Sequence, residues 1–204
     1  MAVADLIYGS MAPLYDAVCG ALLQPGRRRA MSLLNPQPGQ LILEVGVGTG
    51  YGVNHYPPGC RVVAIDLSRP MLDQAARRVD SAHANAVSFA QMDATNLGFA
   101  DGVFDAVYVP YTINVIPDPV AAGRELMRVS GPRARIVFVN HFDGVRATTN
   151  LINDAFGKLA SFAGVNWSLS LDSFVSALNL RVTSLESVNV PRLSSVVVCE
   201  KAIA

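Results

Sequence analysis

The ten residues from Leu41 to Gly50, Leu-Ile-Leu-Glu-Val-Gly-Val-Gly-Thr-Gly, restrict what this chain can fold into more than any other stretch. The first half is apolar except for Glu44. It predicts a buried strand, because parallel strands covered on both faces are near-continuous runs of Leu, Ile and Val. The second half is a glycine turn, in which the backbone can bend sharply and a ligand can approach the main chain. Sixteen residues past Gly50 stands Asp66, the last residue of a second apolar run, Arg61 to Asp66. A strand, a glycine turn, a short helix over about 53–56 and a strand ending in an acid predict a unit that holds a ribose at the carboxyl edge of a parallel sheet. A dinucleotide fingerprint needs glycine at its first, third and sixth positions. The sixth position is Tyr51 counted from Gly46 and Val53 counted from Gly48, so the nicotinamide pattern fails.

What remains, Glu44-x-Gly46-x-Gly48-x-Gly50 with Asp66, resembles the class I S-adenosylmethionine (SAM) methyltransferases. The resemblance implies that the glycine loop passes under the amino-acid part of SAM and that Asp66 accepts both ribose hydroxyls, as a carboxylate can. It implies that Met71, in Asp66-Leu67-Ser68-x-x-Met71-Leu72, packs on the adenine. Asp93, in Met92-Asp93-Ala94, would face the adenine amine. The implied cofactor set is therefore Glu44, Gly46, Gly48, Gly50, Asp66, Leu67, Met71, Asp93 and Ala94, with S-adenosylhomocysteine as product. On the residues alone, plainer readings stay open. A glycine loop is also a tight turn, Met71 an ordinary core residue, and Asp93 an Asx-turn acid.

Along the chain, Ile7, Met11, Leu14, Val18 and Leu22 form a helical stripe interrupted by Pro13, which predicts two short helices. Gly26-Arg27-Arg28-Arg29 reads as a basic step before a helix over 30–34. A proline-rich turn, 35–39, follows. A helix capped by Ser68 runs to about Val79. Further strands are expected over 86–91, 104–109, 134–139, 181–188 and 195–201, and further helices over 118–129, 151–162 and 170–178. The expected architecture is α/β, a doubly wound, seven-stranded, mostly parallel sheet with helices on both faces. The resemblance adds a Rossmann-like methyltransferase fold whose last strand is antiparallel. One domain is expected, with residues 1–35 as a helical lid and 36–204 as the α/β core.

Composition narrows the partners. The 204 residues carry sixteen basic and sixteen acidic side chains, so no global field recruits nucleic acid. No apolar run approaches the ~20 residues of a spanning helix, and no signal peptide is visible. Cys19, Cys60 and Cys199 share no metal-ligand spacing, which predicts no metal site and suits a reducing, cytoplasmic setting. His55 and His83 read as surface residues.

A narrower resemblance rests on Tyr8-x-x-Met11-Ala12-Pro13-Leu14-Tyr15-Asp16, the Gly26-Arg27-Arg28 step, the two SAM motifs and Val139-Asn140-His141-Phe142. Together these resemble the bacterial phospholipid N-methyltransferases of the Rhodobacter type, over about residues 5–142. The resemblance implies an amine-bearing phospholipid substrate, phosphatidylethanolamine methylated toward phosphatidylcholine. Tyr8, Tyr15, Tyr111 and His141 are then the catalytic candidates. An ammonium must lose a proton before it can attack, which His141 or a tyrosine hydroxyl could take. Tyrosine faces favour a growing cation. At a strand end, His141 is equally a hydrogen-bonded structural residue. The apolar stripe with Arg27, Arg28 and Arg29 suits peripheral contact with the inner face of the membrane; Asp16 and the few lysines oppose it. The serine-rich segment 192–195 suits an acyl chain poorly. Two alternatives therefore stand: a soluble methyltransferase of a small metabolite, and a SAM-binding protein that transfers no methyl.

Overall fold

The computed structural model of the protein describes residues 20, 22–142, 169–189 and 194–202. Tyr8 and Tyr15, most of the expected lid and the helix expected over 151–162 lie outside the described residues.

The described residues build one seven-stranded sheet. Its strands are β1 (Leu41–Val45), β2 (Arg61–Asp66), β3 (Val87–Gln91), β4 (Phe104–Pro110), β5 (Ser130–Asn140), β6 (Leu180–Val188) and β7 (Ser194–Lys201). They lie in the order β3-β2-β1-β4-β5-β7-β6. The pairs from β3 to β5 are parallel, and β7 runs antiparallel between β5 and β6. This is the expected doubly wound sheet with an antiparallel last strand.

Alternation along each strand feeds two cores. Leu43, Val45, Val107, Ile136 and Phe138 face one side. There α3 (Pro119–Val129) and α4 (Leu171–Ala177) cover them with Leu126 and Phe174. Phe174 meets Phe138 edge to face at 5.4 Å. Ile42, Ala106, Val137 and Val139 face the other side, under α1 (Gln24–Leu34) and α2 (Arg69–Arg78), which supply Ala30, Met31, Leu34, Leu72 and Ala75. Asp118 caps α3 by accepting from the amide of Ala121 at 2.8 Å, a satisfied N-terminal donor.

Several expectations change. The basic step does not precede the helix but lies within it: α1 begins at Gln24, with a proline in its first turn, and takes in all three arginines. No helix forms over 53–56. Pro57 and Pro58 follow at once, and the segment closes as turns, with the amide of His55 donating to Gly52 at 2.9 Å. Ser68 occupies the cap position of α2 without a side-chain cap bond. Strand β5 starts at Ser130, because Ser130 pairs with Phe104 ahead of an irregularity in the β4 ladder. His55 and His83 are both half-buried. The His83 ring sits 2.6 Å from the carboxylate of Asp80 and 2.9 Å from the carbonyl of Tyr56. The Asp80 carboxylate holds its pKa above the ordinary histidine value.

Candidate active site

The carboxyl ends of the parallel strands gather most of the described residues singled out by the sequence. The turn after β1 has Gly46, Gly48 and Gly50 at φ of +71°, +56° and +86°. The amides of Gly46 and Val47 both donate to Ile65, at 2.8 and 3.1 Å, fastening the turn to β2. A Cβ on Gly46 would lie 2.0 Å from Thr112 Oγ1, and one on Gly50 2.7 Å from Ala75 Cα. At Gly48 nothing lies within 4 Å of that position. Two glycines therefore make room for protein, while Gly48 turns bare backbone toward open space.

Asp66 faces the same turn. Its Oδ2 accepts from the Gly48 amide at 2.8 Å and its Oδ1 from the Ser68 amide at 2.9 Å. Each oxygen keeps a lone pair. Burial pushes its pKa up, against the pull of the Ser68 and Gly48 amides. Beside it, Leu67 is 62% exposed. Met71 is buried, yet belongs to neither core cluster. Asp93 lies two residues past the end of the next strand, β3. Its Oδ1 accepts from the amide and the hydroxyl of Thr95, both at 2.8 Å, which is an Asx-type turn. No described residue donates to its Oδ2, and Ala94 is buried behind it. The structural and ligand-binding readings of Asp93 thus use different oxygens.

Glu44 lies beneath the turn and is 1% exposed. Tyr56 donates to its Oε2 at 2.8 Å. Burial raises its pKa to about 7, the Tyr56 hydrogen bond opposing. Tyr108 pairs with Glu44 across the β1–β4 ladder, and its buried hydroxyl has no hydrogen-bond partner among the described residues.

At the end of β4, Tyr111 adopts φ of +53°, and its amide donates to Val139 at 2.7 Å. Its hydroxyl donates to the Leu23 carbonyl at 3.2 Å and accepts from Asn189 Nδ2 at 2.9 Å. Asn189 Oδ1 in turn accepts from the Gly26 amide at 2.9 Å. The Arg27 guanidinium sits 5.1 Å from the Tyr111 ring centre. Arg27 and Arg78 also approach the Tyr51 ring, at 5.5 and 4.2 Å. Arg29 is engaged in a two-point contact with Glu186, at 2.6 and 2.7 Å. The basic run is therefore divided: Arg27 over rings, Arg28 exposed, Arg29 paired.

At the end of β5, His141 is buried, and its carbonyl accepts from Asn114 Nδ2 at 2.7 Å. Asn114 lies in a 3-10 turn, Ile113–Val115, that follows Tyr111 and Thr112. Its Oδ1 accepts from Asn140 Nδ2 at 2.8 Å. Sequence reasoning missed Asn114 and Asn189, whose partners are 26 to 163 positions away. Only the Asn140-His141 pair gave a local signal.

A family model described as a methyltransferase domain matches residues 43–138. The phosphatidylethanolamine N-methyltransferase of Cereibacter sphaeroides is 30% identical over 170 residues, covering 83% of each chain. The chain belongs to the class I SAM-dependent methyltransferases. The demethylmenaquinone methyltransferase of Renibacterium salmoninarum is 34% identical over 64% of this chain and 55% of its own length. A chain from a complex of the Haloferax volcanii Trm112 methyltransferase activator with a methyltransferase superposes with a TM-score of 0.79, 14% identity, and coverage of 100% and 99%; it shows the fold alone.

The protein is a SAM-dependent methyltransferase enzyme. The residues present fit the cofactor. Gly48 offers backbone to open space, and Asp66 and Asp93 keep acceptor capacity on the same edge. No helix among the described residues is long and apolar enough to cross a membrane.

Proposed function

We propose that this methyltransferase transfers methyl to the amine of an ethanolamine-type phospholipid. The observation that carries the reading is the extent of likeness to the Cereibacter phosphatidylethanolamine enzyme, 83% of both chains, where the likeness to the menaquinone relative covers 64% of this chain and 55% of that protein.

In this reading Gly46, Gly48, Gly50, Asp66, Leu67, Met71, Asp93 and Ala94 hold SAM, which supplies an activated methyl on a sulfonium. Glu44, turned to Tyr56, supports the turn from beneath. His141, at the end of β5, takes the ammonium proton, and the rings of Tyr8 and Tyr15 favour the growing cation. Tyr111 has a different task. Its hydroxyl is engaged by Leu23 and Asn189, and Arg27 stands over its ring. A substrate ammonium beside Arg27 meets like charge, so Tyr111 serves to hold α1 against the site.

The test is labelled SAM with phosphatidylethanolamine vesicles. Labelled mono-, di- and trimethylated lipid supports the reading, and an unmethylated lipid with intact cofactor defeats it. A second reading, methylation of a small metabolite, draws on the menaquinone relatives. Membrane contact at the inner face belongs to the first reading, and co-flotation with the vesicles tests it.

A further inference from the structure

The two amides at the ends of β4 and β5 fix each other's orientation. The His141 carbonyl can only accept, so the Asn114 group 2.7 Å from it must be the NH2. Asn114 Oδ1 must then face Asn140, and Asn140 must present its own NH2 there, at 2.8 Å. By elimination Asn140 Oδ1 is left pointing away from the pair. Asn140 is 4% exposed, and no described residue donates to this oxygen. Among the described residues the polar atoms sealed without a partner are Gln24 Oε1, His55 Nδ1 and Tyr108 OH, and this oxygen is not one of them. A chain of two buried amides thus ends in one rigid acceptor, on the residue before His141, at the carboxyl edge where β4 and β5 adjoin.

We propose that Asn140 Oδ1 binds an N–H of the methyl-accepting ammonium and that Asn114 is the positioning residue that keeps this oxygen facing the substrate. The inference rests on the amine reading above. A fixed acceptor orients a nitrogen that still carries hydrogen, and it has nothing to hold once the nitrogen is quaternary. Asn140 therefore favours heads bearing no, one or two methyl groups over the trimethylated product, which leaves without that bond. A hydrogen bond from a charged donor is worth roughly a 10- to 100-fold change in affinity.

The experiment is calorimetry on full-length protein loaded with S-adenosylhomocysteine. The probes are short-chain glycerophospholipids with ethanolamine, N-methylethanolamine, N,N-dimethylethanolamine or choline heads. In Asn140→Leu the first three weaken by roughly tenfold or more, and choline changes by less than about twofold. Should Asn140→Leu fail to fold, the double variant Asn140→Leu with Asn114→Leu leaves no side-chain amide unpartnered and is read in the same way. Equal loss across all four heads, or no loss, overturns the assignment while leaving the amine reading standing. A wild-type protein that binds cofactor but none of the four heads overturns both.

Discussion

The amide of Gly48 donates to Oδ2 of Asp66 at 2.8 Å, so the glycine turn after β1 and the end of β2 are held as one piece. The acid has two tasks, shaping the turn and accepting from a ligand, and a substitution there removes both. Asp66→Ala is expected to lower SAM affinity by at least about tenfold, since a charged acceptor is lost. The fold should persist, because both strands keep their ladders. Near wild-type affinity in calorimetry would contradict the placement of the cofactor.

Gly46 and Gly48 separate packing from binding. Alanine at Gly46 drives a Cβ to 2.0 Å from Thr112 Oγ1 at positive φ, and a large loss of thermal stability is expected. Alanine at Gly48 meets no protein atom and bears only the left-handed strain of about 1–2 kcal/mol. Gly48→Ala should therefore fold with a modestly lower Tm yet lose most of the thermal shift given by S-adenosylhomocysteine. A full shift in that variant would mean that the open space beside Gly48 is not where the cofactor lies.

Gly26 and Tyr111 form a testable pair. A Cβ on Gly26 would lie 2.1 Å from the Tyr111 hydroxyl, and the next contact, Asn189 Oδ1, would be at 3.0 Å. Gly26→Ala should destabilise the protein. Tyr111→Phe should cost about 1 kcal/mol for its hydrogen bonds. Combined, the two should be far less harmful than their sum, because Phe removes the colliding atom and Ala favours the helix. Additive losses in chemical denaturation would show that the contact does not set the position of α1.

These pairs mark the limit of what the sequence disclosed. Strands β1 and β2 were legible to the residue, because each is a run of buried aliphatics closed by glycine or aspartate. The places of Asp66 at the end of β2 and of the glycines in the turn after β1 were legible from spacing alone. The start of α1 was not: Gly26 reads as a breaker, and only its packing under Tyr111 and its bond to Asn189 explain a helix there. The extra residues of β5 were hidden by Gly131 and Pro132, which are poor strand residues, and only the pairing of Phe104 with Ser130 reveals them. Asn114 and Asn189 carry no local pattern, since each works through residues brought near by the sheet.

Glu44 gives the pH dependence. Its folded pKa, about 7, stands above the ordinary 4.5 because burial penalises the charge more than Tyr56 and Arg27 relieve it. Below the unfolded value both states are protonated and the stabilising contribution is fully present. It declines as pH rises from about 4.5 and is lost through pH 7, because the folded state must then bury a charge that the unfolded chain hydrates. At pH 8 the difference approaches about 3 kcal/mol. Glu44→Gln keeps a neutral partner for Tyr56 and does not titrate. It should match wild type near pH 5 and exceed it by several degrees in Tm near pH 8. Wild-type and variant stability curves that run parallel from pH 5 to 8 would mean that Glu44 is already charged in the folded protein, with Tyr56 and Arg27 sufficient to hold it so.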